Sequence, residues 1–151
     1  MTGRLASTSR AFVLALGLIG LMGCETAVSD DDGDQRLMQE DWVAETIAGA
    51  PVINAGRVTL SFGEGRVSGR GGCNLYSGPV EYGKGRIKIG TLISTKMACM
   101  EDGVMAQESA YLSALGMAER YSFSADGKLT ITTKAGAIVY DDVARQVRPE
   151  G

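Results

Sequence analysis

Three cysteines, Cys24, Cys73 and Cys99, and no histidine are the first chemical facts of this chain of 151 residues. Without histidine no side chain has an ordinary pKa suited to proton transfer near neutrality. No Ser-His-Asp or Cys-His arrangement can be assembled either. Cys73 and Cys99 lie far outside the C-x-x-C spacing of dithiol oxidoreductases. Two cysteines without histidine also lack the usual ligand set of a zinc site, so no resident metal or cofactor is expected. Carboxylates are left for acid–base work. Glu108 falls on the apolar side of a helical pattern, where an unpaired carboxylate is expensive. Its expected partners are Arg66, Arg70, Lys96 or the backbone amides around Cys73. A glycosidase-like reaction needs a second carboxylate across a cleft, and the sequence shows none. Gly69, Gly71 and Gly72 would cradle a phosphate only between a parallel strand and a helix. Here extended segments lie on both sides, so these glycines are read as tight backbone geometry. The chain is read as non-enzymatic.

The elements that must position these residues begin with an export segment. Arg4 and Arg10 precede a charge-free run from Ala11 to Leu21. Eleven helical residues rise only about 16 Å, roughly half a hydrocarbon core. That is a secretory h-region rather than a membrane span. Leu21-Met22-Gly23-Cys24 follows it directly and resembles a bacterial lipobox. The resemblance implies removal of residues 1–23, a diacylglyceryl group on Cys24 and acylation of the new amino terminus. Several acyl chains on one residue make a stable membrane anchor. Glu25 in the next position leans toward the outer membrane, facing the periplasm, in a Gram-negative host.

Residues 25–41 carry seven acids against one arginine and no aromatic. Such a stretch is expected to stay a solvated tether, which places an acylated acidic tether over 24–41. Asp30-Asp31-Asp32-Gly33-Asp34 lacks the twelfth-position glutamate of a calcium loop. The whole chain carries 15 basic and 18 acidic residues. Loss of Arg4 and Arg10 with the signal leaves 13 against 18, a net −5. No basic stripe offers itself to a phosphate backbone, so nucleic acid is not an expected partner.

The folded part is expected over 42–143, with a frayed tail over 144–151. Trp42 to Ala48 reads as a first strand. Val58, Leu60 and Phe62 alternate with polar residues, the period of a half-buried strand. Arg66 to Arg70 returns as its partner. Tyr76 to Tyr82 reads as an extended piece broken at Gly78-Pro79, and Ile87 and Ile89 mark the next strand. Asp102 to Glu119 has helical spacing, with Asp102 as its N-cap and Gly116 as a costly interior residue. Tyr121 to Phe123 and Leu129 to Ile131 form a hairpin with a two-residue turn at Asp126-Gly127, and a strand at Ala137–Tyr140 ends the pattern. Six to eight strands and one late helix give an α+β fold: a strongly curved antiparallel sheet or cracked β-barrel closed by that helix.

Two segments are more distinctive than strands and turns require. One contains Gly69, Gly72, Cys73, Asn74, Ser77 and Gly78, and the other Thr95, Met97 and Cys99, followed by Glu108 on the helix. Together with Trp42 they resemble the META domain of the heat-inducible HslJ-type lipoproteins, over about Trp42 to Tyr140. The resemblance implies a cracked antiparallel barrel interrupted by a helix, related to type III secretion pilot lipoproteins. It implies no established reaction. Leu75, followed by Tyr76, stands where the family commonly has a basic residue followed by an aromatic one, and Lys96 stands where an arginine is common. With Cys24 lipidated, Cys73 and Cys99 are the remaining pair, and an even pair in a small exported domain favours a structural disulfide. Buried free thiols and a redox pair are the alternatives. Asn74 and Thr95 are read as turn-capping residues.

The expectation is an envelope lipoprotein held by Cys24, with its domain free to contact another envelope protein. A small-ligand or lipid-binding barrel is the second reading, and a carboxylate-dependent hydrolase the third. A cavity between helix and sheet would favour the second. The sequence leaves the oligomeric state open.

Overall fold

Alternation builds the sheet. Leu60 and Phe62 are buried while Thr59 and Ser61 between them are half exposed, and Leu129, Ile131 and Thr133 repeat the pattern. The computed structural model describes residues 30–53 and 57–146. Helix α1 (Asp30–Gln39) comes first, then strands β1 (Trp42–Ile47) and β2 (Ala50–Pro51). Strands β3 (Thr59–Gly63), β4 (Arg66–Arg70), β5 (Leu75–Gly83), β6 (Arg86–Ile89) and β7 (Ile93–Ser94) lead to helix α2 (Val104–Leu115). Strands β8 (Ala118–Phe123), β9 (Leu129–Thr133) and β10 (Gly136–Asp142) end in the short helix α3 (Val143–Gln146).

Eight of the strands close into an antiparallel barrel in the order β10-β9-β8-β6-β5-β4-β3-β1, and β1 pairs back onto β10. The closing register sets Trp42 opposite Asp142 and Ile47 opposite Ile138. Strand β2 flanks β1, and β7 flanks β5. One seam is thin: β6 and β8 share the single pair Arg86↔Arg120, reinforced by the Tyr121 N–H on the Gly85 carbonyl at 3.0 Å. The chain leaves the sheet there to form α2. The antiparallel barrel expected from the alternation is therefore present, and it is closed rather than cracked, with its thinnest seam between β6 and β8.

The helices sit at opposite ends. Helix α2 packs where β1 ends and β5 begins, bringing Tyr111, Ala114 and Leu115 into the core. Helix α1 packs where β1 begins and β5 ends. Its Leu37 is fully buried, and the Leu37 carbonyl accepts the Trp42 indole N–H at 3.4 Å. The Arg36 guanidinium lies 4.8 Å from the Phe123 ring centroid and 5.8 Å from that of Trp42. It donates to the Gly127 carbonyl at 2.9 Å and to Glu40 at 3.0 Å. The interior between the helices is filled by Trp42, Leu60, Tyr111, Leu129, Ile131, Ile138 and Tyr140, all fully buried.

Several expectations need correction. Half of the expected acidic tether is α1, so ordered structure begins before Trp42. Counting charges missed two things: Arg36 in the last turn complements the helix dipole, and Leu37 with Arg36 anchors the helix to the barrel. Strand β5 runs unbroken through Gly78-Pro79. Helix α2 is shorter than the periodicity suggested. Its N-cap is Gly103, at φ 79° and without a side-chain bond, rather than Asp102, and Gly116 is its C-cap rather than an interior residue. The β8–β9 turn is not a two-residue one. Gly127 N–H bonds the Ser124 carbonyl and Ser124 N–H the Lys128 carbonyl, a three-residue loop with Gly127 at φ 84°. Residues 144–146 of the expected tail are helical, as the end of α3.

Candidate functional site

The two distinctive segments meet at one place. Cys73 and Asn74 lie in the turn between β4 and β5, Thr95 to Cys99 follow β7, and Glu108 projects from α2. Cys73 and Cys99 form a disulfide, with Cα atoms 5.9 Å apart. Residues 95–103 have no regular secondary structure and are mostly exposed. We call this stretch the strap.

Asn74 clamps the strap. Its side chain is buried and makes all four of its possible hydrogen bonds. The amide oxygen accepts the Thr95 hydroxyl at 2.8 Å and the Met97 N–H at 2.7 Å. The amide nitrogen donates to the Met97 carbonyl at 3.2 Å and to Glu108 Oε1 at 2.7 Å. Only one orientation of the amide works, because an ionised carboxylate accepts and cannot donate. Thr95 Oγ1 in turn accepts the Leu75 N–H at 3.2 Å.

Glu108 completes the clamp from below. Its Oε2 accepts the backbone N–H of Cys73 at 2.9 Å and of Asn74 at 2.6 Å. Of the partners expected for this carboxylate, the structure selects the backbone amides. Arg66 instead donates to Ser77 Oγ at 3.0 Å, and Arg70 reaches the Cys73 carbonyl at 3.4 Å. Consecutive amides aimed at one carboxylate form a small anion nest, which Glu108 fills. The cost of burying the charge is thereby met by hydrogen bonds.

Glycine makes the approach possible. A Cβ on Gly71 would stand 2.8 Å from Glu108 Cγ. Gly72 has φ 133°, a conformation that other residues rarely adopt. A Cβ on Gly78 would meet Leu92 Cδ2 at 2.8 Å and the Thr91 carbonyl at 2.9 Å, so Gly78 lets the segment entering β7 lie close. Ser77 pairs with Ile93 across β5 and β7 but takes no part in the clamp. Cys24 and residues 1–23 lie outside the described residues.

Sequence reasoning missed a second polar group, behind the clamp. Tyr140 donates its hydroxyl to Tyr111 at 3.2 Å, Tyr111 meets Tyr76 at 2.7 Å, and Tyr76 donates to the Thr59 carbonyl at 2.8 Å. The Thr59 carbonyl also accepts from Tyr111 at 3.5 Å, so the group ends on one backbone acceptor shared by two phenols. Burial first, then the neighbouring hydroxyls, push all three phenols well above the ordinary tyrosine pKa. Their alternation into the core was visible in the sequence. Their mutual contact was not, because they come from β5, α2 and β10.

Large apolar side chains of β5, of β7 and of the strap face solvent here, beside the exposed Lys96, Glu101 and Asp102 of the strap. Leu75 is 53 % exposed, Ile93 66 %, Met97 53 % and Met100 94 %. A depression of about 290 Å³ lies among Leu75, Ser77, Ile93 and Thr95. A groove of about 550 Å³ runs between Gly90-Thr91-Leu92 and the Leu112–Met117 side of α2. Both open to solvent, while the space between α2 and the barrel wall is taken by Tyr111, Ala114 and Leu115. Among the described residues no group of three or more His, Cys, Asp or Glu is placed to hold a metal ion. No described helix is long and apolar enough to cross a membrane.

Comparison with known proteins bears on this geometry. Residues 35–144 match the META domain. An NMR structure of a protein from Burkholderia xenovorans is similar, with a TM-score of 0.61 and 25% identity, covering 93% of this chain and 100% of that one. A second NMR structure has a TM-score of 0.60 at 23% identity, covering 76% of this chain and 97% of its own. Comparison with curated proteins finds no match.

Proposed function

The chain belongs to the META domain family, and from that premise we propose that it is a bacterial envelope lipoprotein whose barrel is a non-catalytic module for contact with another envelope protein. One observation carries the reading. A strap without secondary structure is held by a disulfide, a fully bonded asparagine and a buried carboxylate, and it presents large apolar side chains to solvent. Water alone gives no reason to hold such side chains rigidly in view. A surface ordered beforehand loses less freedom when a partner binds it.

The anchor is read from the sequence: Leu21-Met22-Gly23-Cys24 after a short apolar run. The disulfide accords with an oxidising compartment, and Glu25 with the outer membrane of a Gram-negative host, the domain facing the periplasm. All three hydrogen bonds to Glu108 come from Cys73 and Asn74, which supports a positioning role over proton transfer. The filled interior gives no support to a ligand-binding barrel.

The test is intact mass and co-purification from detergent-solubilised membranes. Mature protein should begin at Cys24 and carry acyl mass, and Cys24→Ala should remain at precursor mass. A stoichiometric partner should depend on the folded domain, not merely on the anchor. A mature wild-type species without acyl mass overturns the lipoprotein reading. A partner retained by the anchor without the folded domain overturns the interaction module.

A further inference from the structure

We infer that β7 receives an extended segment of a protein partner as an added strand, at the end of the barrel turned away from the membrane. The inference deepens the reading above and rests on it. Tyr76 faces Ser94 and Ser77 faces Ile93 across β5 and β7. The Thr95 N–H bonds the Leu75 carbonyl at 3.0 Å, which makes Tyr76↔Ser94 a non-hydrogen-bonded pair. The Ser94 N–H and C=O therefore point away from β5, and among the described residues no strand lies on that side.

Free strand edges are ordinarily protected by shortness, charge, proline or a covering element, and β7, two residues long, has the first of these. Over residues 91–100 Lys96 is the only charged residue and there is no proline. Exposed Ile93, Leu75 and Met97 flank the edge instead. Main-chain groups at an edge supply affinity to an added strand, and side-chain contacts at alternate positions select it. The matching occupant is a segment with apolar residues at alternate positions. Disulfide and Asn74 hold the edge in its binding conformation.

The anchor argues against the bilayer as occupant. Strand β7 lies beside the start of β5, whereas Gly83 at the end of β5 lies beside Asp34 of α1. Cys24 precedes Asp30 by six residues, which limits the reach between them to about 20 Å whatever their conformation. The lipid thus draws the α1 end to the membrane and leaves the β7 end outward.

The experiment places photoreactive benzoylphenylalanine at Ile93, at Met97 or, as the α1-end control, at Lys84, in the full acylated chain in cells. Adducts should form at Ile93 and Met97 and not at Lys84, and their mapped peptide should carry alternating apolar residues. With the probe at Met97, Ser94→Pro removes the outward N–H and should lower adduct yield by about tenfold or more, while Ser94→Ala should stay within about twofold. Ile93→Lys should also lower the yield about tenfold, and it decides the matter should Ser94→Pro melt the domain. Yields indifferent to the edge variants overturn the inference. So do adducts consisting of lipid or of a second copy of this chain, or no adduct at all. Acyl mass is read from the same samples. Its absence beside an edge-dependent adduct overturns the anchor and the orientation while supporting the strand contact.

Discussion

Glu108 and Asn74 carry the most demanding polar arrangement in the molecule, because each is buried and neither can lose a partner cheaply. Hydrogen bonds to a charged acceptor contribute about 1.5–3 kcal/mol each, and an unpaired buried donor costs about 1–3 kcal/mol. Glu108→Gln turns an N–H-donating amide toward donors that need an acceptor. It should lower unfolding free energy by about 2–3 kcal/mol in urea titration. The loss should be far from additive with Asn74→Ala, since both remove the bond of 2.7 Å between them. Lys84 is a residue in the opposite situation. It occupies the first central position of the β5–β6 turn at φ 52°, followed by Gly85 at φ 72°, a two-residue turn that favours Asn-Gly. Lys84→Asn should raise stability by about 0.5–1 kcal/mol, read as a thermal midpoint a few degrees higher.

The disulfide acts between elements, joining the β4–β5 turn to the segment that leads into α2. With the two positions 26 residues apart in sequence, loop closure contributes about 3.5 kcal/mol. Cys73→Ser should cost about 2–5 kcal/mol, and amide exchange should rise first over the strap and the first turn of α2. The Cys73→Ser, Cys99→Ser double variant should cost about as much as either single one, because each removes the same bond. Alkylation of the unreduced, unfolded domain should add no label at either position, and two labels on fresh protein would show that no bridge forms in the envelope. The clamp should outlast the bridge in part, since Asn74 and Glu108 hold the strap by independent bonds.

At the scale of the whole molecule, Tyr76, Tyr111 and Tyr140 tie three sides of the barrel to one another and make the fold sensitive to base. Their folded-state pKa values lie above the ordinary value of 10.0. The folded protein therefore keeps protons that the unfolded chain releases. This stabilisation is complete below about pH 10 and is withdrawn as pH rises above it, by up to about 4 kcal/mol per pH unit when three protons are at stake. Alkaline titration followed at 295 nm should show these phenols ionising only together with loss of the far-ultraviolet signal. Gradual ionisation in a protein that stays folded would show that the three are not held as a closed chain. Tyr140→Phe removes one donor without opening the chain to the Thr59 carbonyl and should be tolerated better than Tyr76→Phe, which removes the bonds of 2.7 and 2.8 Å and leaves Tyr111 only the Thr59 carbonyl at 3.5 Å.

The strands were legible from local pattern because burial on one face of a sheet repeats every second residue, and Val58 to Phe62, Ile87 to Ile89 and Leu129 to Ile131 carry that period plainly. The pairing of the two cysteine segments was legible as a family resemblance, and the chemistry absent from the chain, above all histidine, could be read without any fold. Helix α1 was not legible, because its ordering depends on Leu37 and Arg36 meeting Trp42, Phe123 and Gly127, residues whose nearness only the closed barrel creates. The role of Glu108 lay between the two. Helical spacing turned it inward, but whether an arginine or two backbone amides would meet it depended on how closely Gly71 lets the turn approach α2. Distance between segments far apart in sequence is the quantity that local periodicity does not contain, and it decided every polar contact of the clamp.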